Sequence, residues 1–212
     1  MLVGGVVDKF ERMYQSTPAT YGRARSSQLV RFVEGRGIAP PGRALDLGCG
    51  QGRNIRYLAG LGFDVVAMDG SQAALAETRR VCAQVATRVD TKQVDLAEVR
   101  LPAETFNLVV ANTVLDHLPQ GPGERLAQAL CESLTVGGHL FVSAFTTDDP
   151  GYTQRPDRSQ TAFGVQHYFA PGELRMLFGC LQLLTYHEEI SLDTSHGPPH
   201  YHGIARLMAR RA

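Results

Sequence analysis

The segment from residue 44 to residue 54, ALDLGCGQGRN, constrains the fold of this chain more than any other feature. It begins with a short apolar stretch typical of a strand, after which Gly48, Gly50 and Gly52 follow at alternate positions. Glycine removes the side chain where the backbone turns sharply and where a ligand approaches the main chain. A helix that begins at Arg53 would direct its free N–H groups toward that ligand. The segment therefore predicts a strand, a turn and a helix that together bind a nucleotide-like ligand.

Acidic residues around this turn narrow the choice of ligand. Dinucleotide sites favour the spacing G-x-G-x-x-G, whereas this chain has G-x-G-x-G preceded by Asp46. A carboxylate at that position would repel phosphates and suits a ligand with positive charge. Asp69 and Asp95 end two later predicted strands, and the ends of successive parallel strands meet at one edge of a sheet. The three acids are therefore predicted to form one site.

Composition excludes several classes of partner. The 212 residues suit a single domain, residues 1–212. Lys+Arg and Asp+Glu both total 21, so the charge favours no nucleic acid. No apolar run is long enough for a membrane span, and the N-terminus does not resemble a signal peptide. The four cysteines show no CxxC spacing, which predicts reduced thiols and a cytoplasmic location. The chain is expected to be a monomer or homodimer.

Strand-length apolar runs alternate with segments of helical period, which predicts an α/β fold. We expect a Rossmann-like three-layer sandwich with a seven-stranded, mostly parallel sheet and an antiparallel last strand. Residues 41–212 should form the core, and helices within residues 1–40 should cover its binding site. Gly137-Gly138 is predicted to end the fifth helix, and Pro171 to lie in the first turn of the sixth. Predicted strands lie near 44–47, 63–68, 91–94, 106–111, 138–145, 181–190 and 203–210, predicted helices at 5–14, 24–35, 53–60, 71–86, 123–134 and 171–179, and predicted long loops at 146–170 and 191–202.

Three segments carry a family resemblance. DLGCGQGRN at 46–54 resembles motif I of the class I S-adenosylmethionine-dependent methyltransferases. HYFAPGELRMLF and HGPPHYHGIARLMARR resemble the tellurite-resistance/thiopurine-methyltransferase-like branch of those enzymes. The resemblance implies S-adenosyl-L-methionine as cofactor and methyl transfer to a small-molecule acceptor.

The resemblance also implies roles for particular residues. Asp46 would hold the methionine amino group of the cofactor. Asp69 and Gly70 would bind the ribose hydroxyls, and Asp95 and Leu96 would bind the adenine. The remaining cofactor-binding positions are Gly48, Cys49, Gly50 and Gly52 in the turn, Arg53 toward the methionine carboxylate, and Asn112 beside the methionyl portion. From the residues alone, Asp69 could instead serve only as a helix cap, and Arg53 could be a solvated surface residue.

Histidines are the predicted catalytic residues. His117 follows the fourth strand, where family members face the acceptor, and its pKa class suits a general base, although it could instead pack on the next helix. His200 and His202 lie in a loop predicted to cover the site, with His196 and Asp193 nearby. We expect this loop, with His167 and Tyr168, to recognise the acceptor. No metal ligand is assigned, and a metal on His196, His200 and His202, or a plain loop, remain alternatives.

The acceptor class is open at this point. The branch suggests a chalcogen species, such as tellurite, selenite or a thiol. An O- or N-methyltransferase of a small metabolite is the alternative within the same chemistry. A nicotinamide-dependent oxidoreductase and a non-catalytic cofactor-binding protein are alternatives from other classes.

Overall fold

The computed structural model describes residues 3–84, 88–153 and 164–212. The strands are β1 Arg43–Leu47, β2 Asp64–Asp69, β3 Val89–Gln93, β4 Phe106–Asn112, β5 Leu134–Phe145, β6 Gln182–Asp193 and β7 His200–Arg210. The helices are α1 Val3–Ser16, α2 Ser27–Gly35, α3 Arg53–Leu61, α4 Gln72–Cys82, α5 Gln120–Ser133, α6 Pro150–Thr153 and α7 Glu173–Leu177, with a single 3₁₀ turn at Leu115–His117. Among these described helices, none combines the length and apolar character needed to cross a membrane.

All seven strands form one sheet in the order β3-β2-β1-β4-β5-β7-β6. Strands β1 to β5 are mutually parallel, while β7 runs antiparallel to both β5 and β6. The predicted mostly parallel sheet with an antiparallel last strand is therefore confirmed. Because β6 is antiparallel to β7, it runs in the direction of the first five strands. Its carboxyl end consequently lies at the same edge of the sheet as theirs, as the sequence predicted.

Helices cover both faces of this sheet, as a three-layer sandwich requires. Successive residues of a strand point to opposite faces. Leu45 and Leu47 of β1 belong to the apolar cluster that includes Leu130 of α5. Ala44, on the opposite face, belongs to a second cluster that includes Ile55 of α3. Each fully buried Leu or Ile side chain stabilises the fold by about 1.5–3 kcal/mol, so the two clusters fix the strands and their ends.

The prediction that Gly137-Gly138 ends a helix was wrong. Helix α5 ends at Ser133, and β5 begins at the next residue. A Cβ on Gly138 would lie 2.8 Å from the Thr135 oxygen and 2.9 Å from the Phe106 oxygen. The pairing of β4 with β5 shifts its register next to Phe106, so the glycines mark an irregularity within a strand pair.

Other boundaries also differ from the sequence predictions, and three of them concern the segments around the site. The predicted loop 191–202 is only residues 194–199, because β6 and β7 extend to the pair Asp193 and His200. Pro171 precedes α7, whose N-cap is Gly172 at a φ of 77°. The predicted loop 146–170 contains α6, and its residues 154–163 lie outside the described residues, as do residues 85–86 of the predicted helix 71–86.

Candidate functional site

The turn after β1 has the backbone that its glycines predicted. Gly48, Gly50 and Gly52 have φ values of 64°, 52° and 83°, in the left-handed region that glycine adopts most readily. The N–H groups of Gly48 and Cys49 donate to the Met68 carbonyl at 2.7 and 3.1 Å, which ties the turn to the end of β2. Gly52 is then the N-cap of α3. The strand, turn and helix predicted for this segment are all present.

A cavity of about 630 Å³ opens beside this turn at the carboxyl edge of the sheet. Its volume lies within the range of roughly 300–1,000 Å³ that is typical of small-molecule sites. Most of the predicted site residues share its wall: Gly48, Cys49, Gly50, Arg53, Asp69, Gly70, Asp95, Leu96, Asn112, His117, His200 and His202. The structure thus brings together side chains from both halves of the sequence.

Asp46 and Gly52 are not among the described residues that line the cavity. Asp46 lies behind the turn at 1% exposure, and its Oδ2 has no hydrogen-bond partner among the described residues. Burial raises the pKa of Asp46 to about 8, with Arg53 opposing the rise and Asp69 adding to it. A cation placed next to this carboxyl group would favour its ionised form.

Asp69 connects the turn to the start of α4. Its Oδ2 accepts from the Gly50 N–H at 2.8 Å, and its Oδ1 accepts from the Ser71 N–H at 2.9 Å. Burial raises the pKa of Asp69, while these backbone hydrogen bonds act to lower it. Ser71, not Asp69, caps α4, since its Oγ accepts from the Ala74 N–H. Asp69 is therefore not the cap of α4, and its carboxylate lies on the wall of the cavity.

The other predicted cofactor-binding residues are held by short contacts. Asp95 accepts from the Ala97 N–H at 3.0 Å, which fixes the carboxylate beside Leu96. Asn112 Oδ1 accepts from the Ser143 hydroxyl at 3.0 Å. Arg53 donates to the Tyr21 carbonyl at 3.1 Å. Arg53 is therefore bonded within the site and is not a purely solvated side chain.

Sequence reasoning missed the aromatic residues that the N-terminal segment contributes. Val7, Phe10 and Tyr14 lie three and four positions apart on α1 and all line the cavity, as does Tyr21. A Cβ on Gly50 would lie 3.2 Å from the Tyr14 hydroxyl, and burial raises the pKa of Tyr14 well above its usual value. The spacing of these apolar residues along α1 could have predicted that one face of the helix points inward.

Glu11, on the same helix, was also missed. Its Oε2 accepts from the Ser71 hydroxyl at 2.6 Å and from the Ala73 N–H at 3.2 Å. A carboxylate at the first turn of a helix is favoured there by the helix dipole. Glu11 thus attaches α1 to the start of α4 and places the aromatic face over the cavity.

His117 lies in the 3₁₀ turn after β4, with its ring between two phenyl groups. The ring centroids of Phe10 and Phe145 are 5.0 and 6.5 Å from that of His117. Its Nδ1 is buried and has no hydrogen-bond partner among the described residues. The residue lines the cavity, and within the described part of the chain this imidazole nitrogen is left without a partner there.

Three further histidines, His196, His200 and His202, form a cluster where β6 and β7 meet. The ring centroids of His196 and His200 lie 5.0 Å apart, and those of His200 and His202 lie 4.6 Å apart. The Tyr21 ring contacts His196 at 5.2 Å, so the N-terminal segment meets the loop 194–199 over the cavity. Although burial acts to raise it, the pKa of Asp193 is held below its usual value by hydrogen bonds from Ser195 and by the nearby histidines.

The other two residues predicted for the acceptor pocket lie elsewhere. His167 Nε2 is 2.7 Å from Glu173 Oε1. Tyr168 packs against Tyr152, with ring centroids 5.4 Å apart. Among the described residues of this segment, Gln166 reaches the cavity wall instead.

Two solved structures share the fold. TehB from Haemophilus influenzae superposes with a TM-score of 0.69 at 24% identity, covering 85% of this chain and 61% of that one. The 1,6-didemethyltoxoflavin-N1-methyltransferase of Burkholderia thailandensis superposes with a TM-score of 0.71 at 19% identity, covering 100% and 87%. At these identities the likeness shows the fold alone.

The sequence itself has relatives over nearly its whole length. It is 28% identical over 208 residues to the probable S-adenosyl-L-methionine-dependent methyltransferase TehB of Haemophilus influenzae, which covers 96% of this chain and 66% of that protein. This chain thus spans just under two thirds of that relative's length. The profile of the family described as tellurite resistance protein TehB matches residues 10–196. Because this match covers most of the chain, the protein belongs to the TehB family.

Proposed function

We propose that this protein is an S-adenosyl-L-methionine-dependent methyltransferase with a small-molecule acceptor, and that the acceptor is a chalcogen species such as tellurite, selenite or a thiol. One observation carries the proposal. One cavity is lined both by the glycine turn with Asp69 and Asp95 and by His117, His200 and His202. The relative named TehB is described as a probable methyltransferase with this cofactor, and the Burkholderia structure contains S-adenosylhomocysteine.

The residues present fit this cofactor. Gly48 and Gly50 line the cavity, and their lack of a Cβ lets Val114 and Tyr14 pack beside the turn. Carboxylates accept well from hydroxyl and amino donors, and Asp69 and Asp95 offer them on the cavity wall. The Asp46 oxygen without a partner lies behind the same turn, where an ammonium group would supply the missing positive charge. We propose that these acids hold the ribose, adenine and amino groups.

The cofactor supplies a methyl group that its sulfonium already activates. Once bound, it would offer the methyl carbon to the acceptor's lone pair, with the electrons of the sulfur–carbon bond left on sulfur. This chain would hold the acceptor in line with that bond and exclude water, a contribution that can supply much of the rate acceleration. Phe10, Tyr21 and Phe145 belong to the apolar part of the cavity wall, which would exclude water. We propose that His117 removes a proton from acceptors that must lose one.

The test is an assay for S-adenosylhomocysteine with thiol, selenite, tellurite, phenol and amine acceptors, alongside cofactor titration by calorimetry. We expect binding of S-adenosylmethionine and product with at least one chalcogen acceptor. Product with phenol or amine acceptors alone would favour the O- or N-methyltransferase alternative. Cofactor binding without product on any acceptor would favour a non-catalytic protein. Failure to bind the cofactor, with binding of a nicotinamide dinucleotide instead, would overturn the proposal.

A cytoplasmic location, a monomeric or homodimeric state and the lack of nucleic-acid or membrane partners stay predictions from the sequence. Size-exclusion chromatography with light scattering measures the oligomeric state directly.

A further inference from the structure

The backbone of the β6–β7 hairpin places three metal-ligating side chains on one face. Asp193 pairs directly with His200 across the two antiparallel strands, and His202 lies two residues further along β7. Side chains of directly opposed residues share a face, as do those of alternate residues in one strand. One ligand atom from each of Asp193, His200 and His202 lies within 4.8 Å of the others. Strand register therefore brings these three groups together.

Both imidazoles are oriented through their Nδ1 atoms. His200 Nδ1 lies 2.8 Å from the Pro198 carbonyl, which can only accept, so this nitrogen carries the hydrogen. His200 Nε2 then holds a lone pair, and it is buried without a hydrogen-bond partner among the described residues. His202 Nδ1 lies 3.3 Å from Oδ2 of the buried Asp149, and His202 Nε2 is 3.9 Å from Asp193 Oδ2. When a histidine binds a metal through one ring nitrogen, a hydrogen-bond acceptor at the other nitrogen typically fixes the ring orientation and the tautomer.

We propose that Asp193, His200 and His202 form a binding site for a divalent transition-metal ion, with an open coordination position toward the cavity. Two imidazole nitrogens and one carboxylate suit Zn²⁺ or Fe²⁺ better than Mg²⁺ or Ca²⁺, which prefer oxygen ligands. Three protein ligands leave room for a further ligand, as in metal sites that bind a reactant. All three side chains line the cavity, so that position is accessible from it.

Binding requires a small inward movement of the side chains. Ligand atoms of a tetrahedral zinc ion lie about 3.4 Å apart, given metal–ligand distances near 2.1 Å. His202 Nε2 and Asp193 Oδ2 lie 3.9 Å apart, so side-chain rotation must draw these two ligand atoms closer. The backbone register would not need to change, because all three residues already share one face of the hairpin.

The metal ion in this site would bind the methyl acceptor through an anionic donor atom of the acceptor. This step rests on the proposed function, since it assigns the metal to the acceptor of methyl transfer. A thiolate, a selenolate or a chalcogen oxyanion would occupy the open position, in the same cavity that the glycine turn lines. Metal binding itself does not depend on this step.

The experiment is a Zn²⁺ titration of the full chain after removal of metal by chelation and dialysis, without cofactor. We expect one Zn²⁺ per chain with micromolar or tighter affinity. Replacing an outer partner of a metal ligand typically costs 10–100-fold in affinity, so losing a ligand itself in His200→Ala or His202→Ala should cost more than about 100-fold. His187→Ala is the matched control, because His187 is an exposed histidine on β6. Co²⁺ in place of Zn²⁺ should give a visible absorption band that the ligand variants lose.

Three results would overturn the metal site. One is no Zn²⁺ binding at micromolar concentration, as expected if His202 is instead a charged bridge between Asp149 and Asp193. The second is binding that His200→Ala and His187→Ala weaken equally, which would show surface adsorption. The third is a Co²⁺ band unchanged in His200→Ala. Calorimetry with S-adenosylmethionine on the same variants separates the two proposals: retained cofactor binding without metal binding refutes only the metal site, and the reverse result refutes only the proposed function.

Discussion

Two parts of the cavity wall, the glycine end and the histidine end, are built in different ways. The glycine end comes from consecutive elements, since the turn at 48–52 and Asp69 belong to one strand-helix-strand unit. The histidine end combines the 3₁₀ turn and the β6–β7 hairpin, which are far apart in sequence, while α1 contacts both parts, with Tyr14 beside Gly50 and Phe10 beside His117. Local sequence therefore specifies the first end, whereas tertiary packing specifies the second. Substitutions at the histidine end can alter acceptor recognition without disturbing the turn that we propose holds the cofactor.

The largest expected effect is on the histidine end, at Gly203. A Cβ there would lie 2.2 Å from the Asp149 nitrogen and 2.4 Å from the Asp148 carbonyl carbon, so backbone must move. Gly203 also donates its N–H to Asp149 Oδ2 at 3.1 Å. Because overpacking of this kind costs roughly 1–3 kcal/mol and occasionally more, we expect Gly203→Ala to lower the free energy of unfolding in urea by about 3 kcal/mol.

Gly60→Ala is the matched control for that variant. Gly60 lies within α3, and a Cβ there would meet no atom within 4 Å. Because alanine favours a helix over glycine, this variant should be more stable than the natural chain by about 0.5–1 kcal/mol. Equal stability of Gly203→Ala and the natural chain would show that the packing of β7 against residues 148–149 is adjustable.

The next effect distinguishes catalysis from binding. His117→Gln keeps a polar side chain between Phe10 and Phe145 but cannot act as a base near neutral pH. If His117 is the general base, turnover of a proton-bearing acceptor should fall about 100-fold, while calorimetry should show unchanged cofactor affinity. His187→Ala should leave both unchanged. A parallel loss of cofactor affinity would assign His117 to the structure of the cavity wall.

A smaller effect is expected at the glycine end, from Asp69→Asn. Asparagine retains one acceptor oxygen but lacks the charge that strengthens bonds from ribose hydroxyls. We expect the Kd for S-adenosylmethionine to rise about 10-fold, equivalent to about 1.4 kcal/mol. Asp64→Asn, at the exposed start of the same strand, is the control and should bind normally. An unchanged Kd in Asp69→Asn would refute the ribose assignment.

The glycine end was largely predictable from the sequence. The strand, turn and helix at 44–54 depend on neighbouring residues, and the predicted strand ends of β1 and β2 agree with the structure to within one residue. The seven-stranded, mostly parallel sheet was also predicted, from the alternation of strands and helices, but its strand order was not. The failure at Gly137-Gly138 has a physical reason: glycine both ends helices and accommodates irregular strand pairing, and the choice depends on the Phe106 backbone 32 residues earlier in the chain.

The histidine end was predictable only in part. Topology alone placed residues 191–202 over the site, but the polar residues and prolines of that segment concealed two strand ends. The pairing of Asp193 with His200 replaces His196 by Asp193 in the group that can hold a metal. The contribution of Tyr14 and Tyr21 depends on how α1 docks on α4 through Glu11, a contact 60 residues apart in sequence.

The effect with the smallest change per measurement step tests whether Asp46 is protonated in the folded chain. Burial raises its pKa to about 8, whereas an unfolded Asp titrates near pH 4. Between these values the folded chain binds one more proton than the unfolded chain, so stability must fall as pH rises. Urea unfolding at pH 5, 6 and 7 should show Asp46→Asn gaining up to about 1 kcal/mol per pH unit relative to the natural chain. Asp69 and Asp116 also have pKa values raised by burial, and both remain in the variant. Parallel slopes for the two proteins would mean that Asp46 is already ionised when folded, which would make the carboxylate available to an ammonium group without release of a proton.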